Sequence, residues 1–168
     1  MYKNKKMDEV NKILEKNRKK KEEFKLKSSR IVDKAKNQKK FLDNADSPLL
    51  SDDARINHKA LKAELKREAE KEFHKMADPI LKEVDKGSED AIKIDNDIHA
   101  ANRKAIDNYQ KAADVNNANA RAKFQEAKHK IEYDDRDVTD KDRKIKEIQD
   151  DMKKEFEKSE HEIEMSWP

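Results

Sequence analysis

The sequence predicts an all-α fold, an elongated antiparallel helical bundle of coiled-coil type with about four helices joined by short connections. Charged residues make up 47% of the 168 residues, and the chain has one Gly and no Cys. So few turn-forming residues exclude parallel-sheet nucleotide folds and β-sandwiches. Leu, Ile, Val and Phe are only about 18% of the chain, too few for a thick core. The 41 basic and 38 acidic residues can pair between helices, which argues against disorder.

A first helix is predicted over residues 5–44. Its apolar residues follow steps of three and four along one heptad seam, which is typical of a helix with a single packed face. The seam contains Met7, Val10, Leu14, Phe24, Ile31, Ala35, Leu42 and Ala45. Four seam positions are polar, which weakens the packing while helping to fix the register: Asn17, Lys21, Ser28 and Gln38.

A second helix is predicted over residues 52–86. Ser51 can cap its amino terminus, where Asp52 and Asp53 favour the positive end of the helix dipole. Its apolar pattern continues through Asp78-Pro79, where Pro removes a backbone donor, so we expect a kink there. Gly87 suits the left-handed residue that ends many helices, so a sharp reversal is predicted at 86–89.

Two further helices are predicted over residues 89–133 and 140–164. An apolar pattern that repeats every eleven residues supports the third helix. The polar run from Asp134 to Thr139 predicts a break, with Thr139 as the cap of the fourth helix. Short connections favour antiparallel neighbours in one domain, residues 1–168. The alternative is a pair of helical hairpins that hinge at 86–89 without closing into one bundle.

The charge is concentrated at the amino-terminal end of the chain. Residues 1–42 contain 16 basic and 6 acidic residues, which can attract the acidic remainder of the chain or an external polyanion. Binding of nucleic acid through phosphates is therefore an alternative function. An anionic membrane surface is a second alternative, although apolar insertion residues are few. We name the candidate polyanion-binding residues the basic cluster: Lys16, Arg18, Lys19, Lys20, Lys21, Lys25 and Lys27.

The sequence favours a protein that is not an enzyme and needs no cofactor or metal. A chain with so few loops offers little material for a catalytic pocket, and it lacks the motifs of nucleophilic catalysis and of phosphate-binding loops. Glu126 and His129 have the Glu-x-x-His spacing of di-iron bundles, but no second copy exists. The Asp-rich run that starts at Asp135 has no Gly or Glu at the positions where a calcium loop needs them.

The sequence thus predicts a structural or protein-interaction protein that docks onto a partner, or onto itself, through incomplete apolar seams, for example as a subunit, an adaptor, or an assembly or secretion partner. A helix with such a seam can complete a bundle with a partner. We expect no small-molecule substrate, no cleavable signal peptide and no membrane span, hence a soluble protein of unknown localisation. The expected contact residues lie near the two ends of the chain: Val10, Leu14, Phe24, Phe156, Ile163 and Trp167.

Overall fold

The computed structural model describes residues 2–45, 51–115 and 118–166, and every secondary-structure element in these ranges is an α-helix. The helices are α1 (Tyr2–Ala45), α2 (Asp52–Val115) and α3 (Ala118–Ser166). The all-α prediction is confirmed. The Ser51 cap is confirmed too, because its Oγ accepts a hydrogen bond of 3.2 Å from the backbone N–H of Ala54.

The prediction of about four helices is wrong, since the described residues form three. No reversal occurs at residues 86–89, because α2 continues through Gly87, whose φ is not positive. Gly87 instead allows a close helix approach: a Cβ there would lie 3.3 Å from Asn17 Oδ1. Pro79 lies inside α2, so the helix continues through Asp78-Pro79, and the kink expected there stays a prediction.

The predicted break at 134–139 is wrong as well, because α3 is helical throughout this segment. The Thr139 hydroxyl donates a hydrogen bond of 3.1 Å to the Asp135 carbonyl, one turn earlier, so it does not cap a new helix. The predicted third helix, 89–133, is divided instead: α2 ends at Val115 and α3 begins at Ala118. Residues 116 and 117 lie outside the described residues.

The described chain packs as two compact units, each containing segments of all three helices. Unit 1 comprises residues 1–18 and 85–148. Its α1 and α2 segments are antiparallel, because Lys6 pairs with Asp97 at 3.8 Å while Asn17, further along α1, contacts the earlier Ser88. Its buried apolar residues are Val10, Leu14, Ala91, Ile98, Ala113, Val138, Ile145 and Ile148.

Unit 2 comprises residues 19–84 and 149–168. Ion pairs of 2.7 Å between Lys21 and Asp151 and of 3.9 Å between Lys36 and Glu162 set α1 parallel to α3. Two ion pairs of 3.4 Å, Lys20–Glu83 and Lys34–Glu72, set α1 antiparallel to α2. The α2 segment is therefore also antiparallel to α3.

An aromatic cluster forms the interior of unit 2. The ring centroid of Phe73 lies 6.5 Å from that of Phe24 and 5.1 Å from that of Phe156, so one side chain from each helix meets there. The His74 ring packs against Phe73 and Phe156 at the edge of the cluster. The single elongated domain over residues 1–168 stays a prediction.

Candidate functional site

A groove between α1 and α2 of unit 2 is the best candidate for a binding site. Its volume is about 650 Å³. Leu42 is buried and Leu65 is half-buried, whereas Phe41 is 73% exposed and Leu61 is 42% exposed. We name this feature the α1/α2 groove, which is lined by Arg30, Asp33, Lys34, Asn37, Gln38, Phe41, Leu42, Leu61 and Leu65.

The groove stays open because two of its apolar residues, Phe41 and Leu61, are exposed. Leu42 occupies the seam of α1, and the preceding residue on a helix is turned by about 100°, so Phe41 faces away from the core. Leu61 is likewise exposed, whereas Ala69 and Phe73 further along α2 are buried. The result is an apolar surface that the described part of the chain leaves partly uncovered.

The charges beside the groove are mainly positive. Residues 30–45 contain five basic and two acidic residues. A second, polar groove of about 650 Å³ on the same part of α1 is lined by Asp33, Lys36, Asn37, Lys39, Lys40 and Asp43. Three of the nearby lysines form ion pairs within unit 2: Lys34 with Glu72, Lys36 with Glu162, and Lys62 with Asp43.

The predicted contact residues lie mostly in the interior of the two units. Val10 and Leu14 are buried in unit 1, and Phe24 and Ile163 are buried in unit 2. Phe156 is half-buried within the aromatic cluster, and Trp167 lies outside the described residues. A partner could contact the four buried side chains only if the helices separated, so their role in partner binding stays a prediction.

The residues of the basic cluster fall in both units. In unit 1, Lys16 is exposed and Arg18 pairs with Glu15 at 3.7 Å. Lys19 and Lys25 of unit 2 are exposed. The other three lysines of unit 2 pair with carboxylates at distances from 2.7 to 3.6 Å: Lys20 with Glu23 and Glu83, Lys21 with Asp151, and Lys27 with Glu23.

These ion pairs change the proton affinities of their members. The hydrogen bond to Glu83 is the main cause that raises the pKa of Lys20, and the attraction of Glu23 adds to it. The hydrogen bond from Lys27 lowers the pKa of Glu23, and that from Lys21 lowers the pKa of Asp151. Much of the positive charge of Lys20, Lys21 and Lys27 is thus already balanced inside unit 2.

Unit 1 contains a buried carboxylate contact between α2 and α3. Asp95 is fully buried, and neither of its carboxylate oxygens has a hydrogen-bond donor among the described residues. Burial is the main cause that raises the pKa of Asp95 to about 8, and the neighbouring Asp142 carboxyl raises it further, while Lys141 opposes the change. Asp95 therefore holds its proton near neutral pH.

A second polar contact joins α2 and α3 in unit 1. The Asp135 carboxylate contacts His99 Nδ1 and accepts a hydrogen bond of 2.9 Å from Asn102 Nδ2. Glu126 and His129, which have the metal-binding spacing, are both exposed. Among residues 2–45, 51–115 and 118–166, no three His, Asp or Glu side chains are grouped so that they could hold a metal ion.

The chain has no detectable similarity to known proteins, and its described helices include no candidate membrane span. No protein-family model matches the sequence, and no curated protein or solved structure matches it significantly. Within the part of the chain that the structure describes, none of the helices has a stretch apolar enough to cross a membrane.

Proposed function

We propose that this chain is a non-enzymatic structural or protein-interaction protein, and that the α1/α2 groove is where it docks a partner. The observation that carries the proposal is the exposure of Phe41 and Leu61 beside the buried Leu42. A groove with an apolar floor and aromatic rim can take the apolar face of a helix. Aromatic side chains are also frequent among the residues that dominate binding energy at protein interfaces.

Binding of polyanions by the basic cluster is a weaker alternative. Three of its five lysines in unit 2 already form ion pairs with carboxylates of that unit. A phosphate would have to compete with these carboxylates for the same ammonium groups. Such binding would depend steeply on salt and would not require Phe41, which separates it from docking in the groove.

Site-specific photo-crosslinking tests the proposed function. A photoreactive phenylalanine analogue replaces Phe41 in the full chain, and a second variant carries it at Tyr133 in unit 1. Tyr133 is a matched control because it is an aromatic residue with the same exposure, 73%. We expect a protein that is cross-linked from position 41 and not from position 133.

The protein identified in this way is then purified, and its affinity for the wild-type chain is compared with its affinity for Phe41→Asp and Tyr133→Asp. We expect Phe41→Asp to weaken binding by at least tenfold, because it places a charge in an apolar contact, and Tyr133→Asp to leave it unchanged. Equal effects of the two substitutions would contradict the groove as the docking site. Binding of a nucleic-acid duplex with the same affinity to the wild-type chain and to Phe41→Asp would favour polyanion binding by the basic cluster.

A further inference from the structure

The charges that surround the α1/α2 groove restrict the kind of partner it can hold. Arg30 and Lys34 line the groove together with Asp33. The polar groove beside it is lined by three lysines and two aspartates: Lys36, Lys39, Lys40, Asp33 and Asp43. Lys34 pairs with Glu72, whereas Arg30, Lys39 and Lys40 form no ion pair with any residue that the structure describes. An apolar groove flanked by such cations complements a ligand that is apolar on one face and acidic beside that face.

A second exposed apolar residue on the same side of α1 as Phe41 points to a helix as the form of this ligand. Leu26 is 56% exposed on α1, fifteen residues before Phe41. At 1.5 Å and about 100° per residue, the two side chains lie roughly 22 Å apart along the axis and within about 60° of each other around it. A helix of about four turns that lies along α1 could contact Leu26 at one end and Phe41 with Leu61 at the other.

We propose that the partner segment is an acidic amphipathic α-helix, whose apolar face contacts Phe41 and Leu61 while its flanking carboxylates face Arg30 and Lys40. This inference rests on the proposed function, because it names the chemistry of the partner for the same groove. A second copy of this chain fits less well: residues 30–45 and 52–66 each have more basic than acidic residues, so two such surfaces would repel each other.

Three designed helical peptides of about twenty residues test the inference against the full chain. The first has apolar residues at helical spacing with Glu beside them, and the second has the same apolar residues with Lys in place of Glu. The third has the composition of the first in a scrambled order that destroys the apolar face. Fluorescence anisotropy gives the affinity of each peptide for the wild-type chain and for Phe41→Ala, Tyr133→Ala, Arg30→Glu, Lys40→Glu and Lys153→Glu.

We expect the acidic amphipathic peptide to bind at least tenfold more tightly than either of the others. Phe41→Ala should weaken this binding about tenfold, and Arg30→Glu and Lys40→Glu should weaken it severalfold and reduce its salt dependence. Tyr133→Ala and Lys153→Glu, on exposed residues outside the groove, should leave it unchanged. Circular dichroism of each variant confirms that the helices are retained.

Other outcomes overturn the inference and separate it from the proposed function. If the basic peptide binds as tightly as the acidic one and Phe41→Ala weakens both, the groove docks helices but does not select acidic ones. If the scrambled acidic peptide binds equally well, the chain is a polyanion binder and the groove plays no part. If sedimentation detects a dimer that Phe41→Ala dissociates, the occupant is a second copy. If Phe41→Ala weakens the binding of none of the peptides, both the groove as docking site and its preference for acidic helices are contradicted.

Discussion

Asp95 occupies an interior position of α2 in unit 1, on the same side of the helix as the buried Ala91 and Ile98. Its carboxyl group is adjacent to that of Asp142 on α3, and a shared interior cannot hold two carboxylates without compensating charge. The protonated form of Asp95 removes this conflict. Folding of unit 1 is therefore coupled to proton binding.

The pH dependence of stability tests this coupling. The folded carboxyl of Asp95 has a pKa of about 8, against an ordinary value of 3.8, so the folded state binds more protons than the unfolded state between these values. Its contribution is fully present below pH 3.8, and it declines as the pH rises and becomes constant above about pH 8. Asp95→Asn should make thermal unfolding less dependent on pH over this range.

At pH 8.5 we expect Asp95→Asn to raise the free energy of unfolding by about 1–3 kcal/mol, because the amide is neutral beside Asp142, whereas the Asp95 carboxyl at this pH is either ionised or must bind a proton. Asp90→Asn, at an exposed position of the same helix, is the control and should retain the wild-type pH dependence. Identical pH profiles for wild type and Asp95→Asn would contradict the assignment of the proton to Asp95.

Asn17 of α1 and Ser88 of α2 form another polar contact in the interior of unit 1, next to Gly87. Asn17 Nδ2 donates a hydrogen bond of 3.1 Å to Ser88 Oγ, and the same Asn side chain lies against Gly87. Ala should be favoured over Gly inside a helix by about 1 kcal/mol. At Gly87 this gain opposes the contact of 3.3 Å that a new Cβ would make with Asn17 Oδ1.

A double-mutant cycle measures this opposition. In the wild-type background we expect Gly87→Ala to change the free energy of unfolding by less than about 1 kcal/mol, because the two effects offset each other. In an Asn17→Ala background the contact is absent, so Gly87→Ala should stabilise by about 1 kcal/mol. Denaturant unfolding gives both values, and equal effects in the two backgrounds would show that Asn17 does not restrict Gly87.

At the scale of the elements, the aromatic cluster holds the three helices of unit 2 together. Phe73 contacts Phe24 of α1 and Phe156 of α3 and is fully buried, whereas Phe41 of α1 is mostly exposed. We expect Phe73→Ala to lower the free energy of unfolding by about 3–5 kcal/mol. Phe41→Ala should change it by less than about 0.5 kcal/mol, as is usual for surface substitutions.

Urea unfolding followed by circular dichroism compares the two Phe variants under the same conditions. A large loss of stability in Phe41→Ala would contradict the account of this residue as an exposed side chain available to a partner. The comparison therefore also tells whether a loss of binding in Phe41→Ala reports on contact or on folding.

Pro79 reduces the stability of α2 at an exposed position. Pro has no backbone N–H for the carbonyl one turn earlier, and it costs about 3 kcal/mol relative to Ala inside a helix. We expect Pro79→Ala to raise the free energy of unfolding by about 1–3 kcal/mol. Pro79→Gly restores the N–H donor but has poor helix propensity, so it should stabilise less than Pro79→Ala. Thermal unfolding ranks the two variants and the wild type. A Pro79→Ala variant less stable than the wild type would contradict this account.

The helix boundaries show which features the sequence can predict. Apolar seam residues such as Val10, Leu14 and Phe24 are buried as the heptad pattern predicts, because periodic burial is the main signal of a helix. Polar residues inside a seam led to wrong predictions of helix ends. Gly87 suggested a helix end, and the acidic run from Asp134 suggested a break, yet in both places polar groups lie between helices and the apolar pattern resumes one turn later.

The end of α2 and the groove were missed for different reasons. Asn116-Asn117 is a pair of residues typical of helix ends, but the eleven-residue repeat led us to predict one helix across it, from 89 to 133. The α1/α2 groove depends on Phe41, which lies off the seam of α1, and on Leu61, which continues the apolar pattern of α2 and is nevertheless exposed. Single apolar residues at such positions are common on protein surfaces, so only the packing of α1 against α2 identifies them as one site.

At the scale of the whole molecule, the two units differ in what fills them. The interior of unit 1 contains polar contacts, including Asn17 with Ser88 and Asp95 with Asp142. The interior of unit 2 contains the aromatic cluster beside buried Ser28 and Ser159, and its surface carries the groove. Polar interior contacts favour a unique register over maximal stability, whereas an apolar groove on a well-packed unit suits the docking of a partner.

Hydrogen exchange of the full chain with and without the acidic amphipathic peptide tests the central claim most directly. If the partner helix lies along α1 in the α1/α2 groove, added protection should be confined to residues 26–45 and 57–66, with none in the part of α3 that belongs to unit 1. Added protection centred on residues 16–27 would instead indicate binding of acidic ligands by the basic cluster. That result, or unchanged exchange along the whole chain at saturating peptide, would contradict the claim that the groove is the docking site.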